Sequence, residues 1–153
     1  MTRKPVKLVI HIPQFPPNLN KLSRNWYANH IQERMYAVQV QLYAVDARNR
    51  WEEAYPPHRW PTLAKATMSV IFLVPASRRG PLPDAHNLLA TLKKSIDALT
   101  ARPRGTGEYA QVGIGLIEDD SPEHLTWGDI RVVRQGTKEV TEITIEEIVE
   151  ILR

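Results

Sequence analysis

At 153 residues and 17.5 kDa, with 42% hydrophobic and 24% charged residues, the chain fits one globular domain spanning residues 1–153 and excludes a disordered one. It has no cysteine, which excludes disulfides, thiolate metal sites and cysteine nucleophiles, and no apolar run reaches the roughly 18 residues of a membrane span. The net charge of +3 hides an asymmetry: residues 1–104 hold 16 Lys/Arg against 6 Asp/Glu, residues 105–153 hold 4 against 11, and such a division points to a polyanion partner beside a carboxylate site or a solvated acidic edge.

Residues 7–12 (Lys-Leu-Val-Ile-His-Ile) predict a first strand, stopped by Pro13 and the Pro16-Pro17 pair. A polar, basic loop follows. From about Asn29 to Trp51 the spacing predicts a helix, with Ile31, Met35, Val38, Leu42 and Val45 on one apolar face. Residues 52–63, with Pro56, Pro57 and Pro61, form a connector. Residues 66–74 are apolar at nearly every position and predict a central strand covered on both faces. A basic loop, residues 77–83, leads into a second helix over about 87–100, with Leu88, Leu92, Ile96 and Leu99 facing the core.

Residues 102–115 contain one proline and four glycines and predict a loop. Strands are expected near 125–134 and over 140–145, and the tail from Glu146 either prolongs the last strand or turns helical. The order β-α-β-α-β-β predicts an α/β (α+β) fold, a single-layer mixed sheet of about four strands with two long helices packed against it. The basic N-terminus, Met1-Thr2-Arg3-Lys4-Pro5, precedes no signal-peptide apolar core, so a cytoplasmic, non-membrane protein is expected. No glycine-rich phosphate-loop or dinucleotide pattern occurs, so no nucleotide cofactor is expected.

The densest chemical cluster runs Asp84-Ala85-His86-Asn87, then Lys93 and Asp97, then Glu118-Asp119-Asp120. Phosphodiester cleavage with magnesium needs oxygen ligands converging on a hard cation, and a lysine can stabilise the charge that develops on the phosphate. Asp84, Asp119 and Asp120 are candidate ligands and Lys93 a candidate phosphate partner. Each also has a structural reading: Asp84 as a helix cap, Lys93 and Asp97 as an i,i+4 pair, Asp119-Asp120 as turn residues. Asn20, Lys21, Arg24, Arg78 and Arg79 suit phosphate contacts, alongside the aromatics Trp26 and Tyr27. Trp51, Trp60 and Trp127 read as packing anchors.

The motif order resembles the RusA family of Holliday junction resolvases. Asp84-x-His86-Asn87-Leu88, Lys93, Asp97-Ala98-Leu99 and Leu116-Ile117-Glu118-Asp119-Asp120 follow that family's sequence of motifs, and the opening strand with Pro16-Pro17, Asn20 and basic residues is similar to its front end. The resemblance implies a divalent-metal-dependent endodeoxyribonuclease acting on four-way or other branched DNA. It implies catalytic roles for Asp84, Lys93 and Asp120, with Asp119 as a further ligand, a magnesium cofactor and a homodimer. The chain departs from the pattern at His86, which stands where the family usually has a second aspartate. An imidazole is a poor magnesium ligand and an acceptable manganese one, so His86 points to manganese or to weakened chemistry. The alternative is a catalytically inactive branched-DNA-binding protein of the same fold. The stretch from Asn87 to Asp97 is also longer, by about one helical turn, than in the shortest family form.

Overall fold

The computed structural model describes residues 4–17, 25–101 and 113–150. Its elements run β1 (Lys7–Ile12), α1 (Trp26–Ala54), β2 (Ala66–Val74), α2 (Ala85–Lys93), a 3-10 turn (Ile96–Leu99), β3 (Leu125–Arg134) and β4 (Val140–Glu147). The strands form one mixed sheet in the order β1-β4-β2-β3, with β4 antiparallel to both β1 and β2 and β3 parallel to β2. The parallel step is made by the α2 crossover, as parallel neighbours require. The starts of β1, β2 and β3 and the end of β4 therefore lie at one end of the sheet.

One face of the sheet makes the core. Leu8, Ile10 and Ile12 of β1, Met68, Val70 and Phe72 of β2, and Ile143 and Ile145 of β4 are buried against Tyr36, Val40 and Ala44 of α1 and Leu88, Leu89 and Leu92 of α2. Each such large apolar side chain contributes roughly 1.5–3 kcal/mol. The other face of β2 (Thr67, Ser69, Ile71, Leu73) is only half-buried, because both helices pack on the same side. β2 is central, but not covered on both faces as its sequence suggested. Between β2 and β3, Ser69 faces Gly128 and Asp129 across a register shift, and a Cβ on Gly128 would lie 2.5 Å from the Ser69 hydroxyl. A side chain there would force apart the strand that follows the acidic loop.

Helix α1 turns the opposite way from expectation. Its inward residues are Tyr36, Val40 and Ala44, continued by partly buried Ala47 and Trp51, while Met35 and Leu42 are 63% and 64% exposed and Ile31 and Val38 are exposed beside them. Hydrophobicity is spread almost evenly around this helix, so periodicity alone selects no side. Small Ala44 and a hydrogen-bonding Tyr36 select the inner one. The second helix is also shorter than expected. α2 ends at Lys93, where the Lys94 amide bonds back to the Thr91 and Leu92 carbonyls and tightens the chain into the 3-10 turn. Leu88, Leu92, Ile96 and Leu99 face the core as the spacing predicted.

Tyr36 anchors α1 to the sheet through a polar contact inside the core. Its hydroxyl donates to Thr141 Oγ1 (3.1 Å), and Thr141 Oγ1 donates in turn to the Gln14 carbonyl (2.8 Å). Burial holds the Tyr36 hydroxyl well above its ordinary pKa. A folded-state pKa above the unfolded value of about 10 gives stability that is full below pH 10 and is lost as pH rises past it. Tyr36→Phe should cost about 1 kcal/mol at pH 7. It should also remove part of the loss of stability that the parent shows above pH 10, as read by urea unfolding at both pH values.

Candidate functional site

Three stretches remote in sequence meet ahead of β3. Ile117 bridges in parallel to both Leu63 and Thr100. The Leu63 amide donates to the Leu116 carbonyl (3.1 Å), Glu118 N–H to the Leu63 carbonyl (2.9 Å), Leu116 N–H to the Leu99 carbonyl (2.8 Å) and Ala101 N–H to the Ile117 carbonyl (2.9 Å). Arg48 of α1 donates to the Ile114 carbonyl (3.0 Å), and the Trp60 indole N–H to that of Leu116 (3.1 Å). Gly113 fits because a Cβ there would lie 2.2 Å from the Thr100 carbonyl oxygen and 2.6 Å from that of Asp97. The consequence is a fixed path for the residues that carry Asp119 and Asp120.

Asp119 is buried, at 4% exposure, and Asp120 is half-buried. The turn that follows closes through His124 N–H to the Ser121 carbonyl (2.9 Å). His124 Nδ1 lies 2.7 Å from the Ala64 carbonyl, which makes it the protonated nitrogen, and 3.6 Å from a Glu118 carboxylate oxygen. This ring therefore ties the acidic loop to the start of β2. Lys93, at the end of α2, holds its ammonium 5.3 Å from the centre of the Trp127 ring at the start of β3. Trp127 does pack against the core as expected, and it also positions Lys93 beside the strand into which the acidic loop feeds. Neither this pairing nor the His124 tie has a signature in local sequence spacing.

The remaining predicted residues are placed elsewhere. Asp84 caps α2, its Oδ1 accepting from His86 N–H at 2.8 Å. The cap is nine residues from Lys93, about 13 Å along a helix rising 1.5 Å per residue. His86 is exposed on the first turn, and Asp97 is half-buried in the 3-10 turn rather than one helical turn beyond Lys93. Arg78 is ion-paired with Glu139, and the Arg134 guanidinium donates to the Arg78 and Gly80 carbonyls, bracing that loop; Arg79 is exposed beside it. Asn20, Lys21 and Arg24, together with most of the glycine-rich loop, lie outside the described residues.

Among the described residues, no three His, Asp or Glu side chains stand close enough to hold a metal ion together. Asp84, His86, Asp119 and Asp120 thus do not form a ready-made cage. The adjacent carboxylates of Asp119 and Asp120 do suit magnesium, which is commonly bound by one or two carboxylates with waters and substrate phosphate completing the octahedron. No helix among the described residues is long and apolar enough to cross a membrane.

The capping role of Asp84 has a direct check. Asp84→Ala should lower stability by about 1 kcal/mol while Asp84→Asn, which still caps, should stay within a few tenths of the parent in urea unfolding. A scan against protein-family models finds no match, and a search of curated proteins finds none similar to this chain, so its functional reading rests on these residues and their arrangement.

Proposed function

We propose that the chain is a structure-specific, divalent-metal-dependent endodeoxyribonuclease that cuts four-way or other branched DNA. The observation that carries this reading is the acidic pair Asp119-Asp120 on a path pinned at Leu63 and Thr100, with Lys93 held over Trp127 at the start of the next strand. The carboxylates of Asp119 and Asp120 would hold the cation against the scissile phosphate, and Lys93 would leave Trp127 to meet the charge developing on that phosphate. A bound magnesium or manganese ion supplies activated water and neutralises phosphate charge. Asp84 is the further ligand that the RusA resemblance adds, and His86 beside it favours manganese. Arg79 suits a backbone phosphate outside the cutting site.

Opposed cuts across a junction need two sites in one particle. The outward face of α1 supports a homodimer. Residues 35–45 contain no charge, although only one side of the helix packs on the core. Tyr27, Ile31, Met35, Val38 and Leu42 line the other side, with Ile31, Met35, Val38 and Leu42 at the 4-3-4 spacing of a helix-pairing seam. Antiparallel pairing about a two-fold axis sets Ile31 against Leu42 of the second copy and Met35 against Val38, a self-complementary arrangement. Covering these five side chains on both copies removes on the order of 1,000 Å² of apolar surface, the level at which specific association begins.

A labelled synthetic four-way junction should be nicked symmetrically in magnesium or manganese and left intact in EDTA, with linear duplex a poor substrate. Asp120→Asn should lower the nicking rate at least about 100-fold with junction binding retained. Asp84→Asn should also lower it, at an unchanged urea midpoint; full retention would leave Asp84 as a cap alone. Junction binding without nicking in any metal would select the inactive DNA-binding alternative, whose motivation is His86. In sedimentation, Leu42→Glu should convert a dimer into a folded monomer, and a parent that is monomeric at every concentration tested would contradict the α1 pairing.

A further inference from the structure

A groove of about 680 Å³ opens at the end of the sheet where β1 begins, lined by Lys4, Val6, Lys7, Trp51, Tyr55 and Arg59 among others. Its volume suits a small ligand, since such sites run to roughly 300–1,000 Å³. Its aromatic wall is built by the end of α1: Trp51 packs edge-on against Trp60 (centroids 5.1 Å apart) and tilted against Tyr55 (5.3 Å), and Tyr55 remains 56% exposed. Its rim is cationic. Lys4, Lys7 and Arg59, with His58 beside them, make no side-chain hydrogen bond or ion pair among the described residues. No carboxylate lines the groove, and those nearby are engaged by the fold: Glu52 accepts from the Trp60 amide (2.9 Å), Glu147 from the Val6 amide (3.4 Å), and Glu150 pairs with Lys65.

Uncompensated cations around an exposed aromatic ring match the two parts of a nucleotide, a phosphate and a flat base. We propose that this groove seats one unpaired nucleotide of a DNA single strand, its base against Tyr55 and its phosphate among Lys4, Lys7 and Arg59. The groove lies at the same end of the sheet as the acidic loop. The chain running from Arg59 through Trp60 to Leu63 joins the two, since Leu63 bridges to Ile117. β1 and β3 are the two edges of the sheet, so about three strand spacings of 4.8 Å, roughly 14 Å, separate the groove from the loop that feeds β3. An unpaired nucleotide held there lies close to the proposed cutting site without occupying it. The inference rests on the DNA-binding half of the proposed function and is independent of metal and catalysis.

The test is the anisotropy of a short fluorescein-labelled oligothymidine with the full chain in EDTA, over a range of salt. Tyr55→Leu should weaken binding about tenfold and Tyr55→Phe should restore it, because stacking needs the ring and not the hydroxyl. The double variant Lys7→Gln/Arg59→Gln should make the salt dependence shallower by about 1.4 in log–log slope, two phosphate contacts on a single strand. Four-way-junction nicking by both should persist, which separates this site from the cutting site. Unchanged oligothymidine affinity and slope in these variants would overturn the proposal, even with junction activity intact. Thymidine monophosphate binding as tightly as the oligonucleotide would assign the groove to a free nucleotide instead. Displacement of the oligonucleotide by polyglutamate, with the same loss in Tyr55→Leu, would make it an acidic-peptide site.

Discussion

The path of residues 113–118 between the end of the 3-10 turn and the approach to β2 is the constraint on which the rest of this molecule depends. Backbone groups of Leu63, Leu99, Thr100 and Ala101 pair with that segment on its two sides, so each peptide group that burial removes from water regains a partner. The arrangement leaves no room at Gly113 for a side chain, and it draws support from Arg48 of α1 and from the Trp60 indole. It explains why α2 stops at Lys93. A continued α-helix would use the carbonyls of residues 98–99 internally, whereas here they receive Ile114, Leu116 and Ile117. The turn that ends the helix and the loop that carries the acidic pair are thus two consequences of one packing arrangement.

Strands proved legible because their signals are local. β1, β2 and β3 run over the residues that alternation and flanking proline or polar residues had marked, and β4 extends two residues past the predicted run. Helix α1 shows where local signals fail. Its larger apolar residues sit outside and its smaller ones inside, since Ala44 allows close approach to the sheet and Tyr36 finds Thr141 within it. Side-chain size suggested the wrong face; shape and hydrogen bonding determine the right one. An uncharged run at residues 35–45 was the available warning that both faces of this helix had work to do.

The candidate site divides in the same way. Chain order put Lys93 and the acidic pair into one group, and the fold brings their elements together around the start of β3. Asp84 and His86 belong to the first turn of α2, where a cap satisfies a free amide, and the extra helical turn between them and Asp97 carries them further from Lys93. Trp127 as the seat of Lys93, and Tyr55 beside a cationic groove, depend on contacts between residues dozens of positions apart. No spacing rule reaches that far. The basic early segment of the chain does place Lys4, Lys7 and Arg59 at the same end of the sheet as the acidic loop, so the charge asymmetry read from the sequence is partly realised as neighbouring surfaces of opposite sign.

A cation completed by phosphate, rather than caged by protein alone, is the central claim, and paramagnetic broadening tests it most directly. Amide spectra of the chain would be recorded with manganese, first alone and then with a four-way junction carrying phosphorothioates that resist cleavage. The account predicts that signals of residues 118–121 and Lys93 broaden at low manganese only when the junction is present. Broadening confined to Asp84 and His86, or no localised broadening with DNA bound, would contradict it.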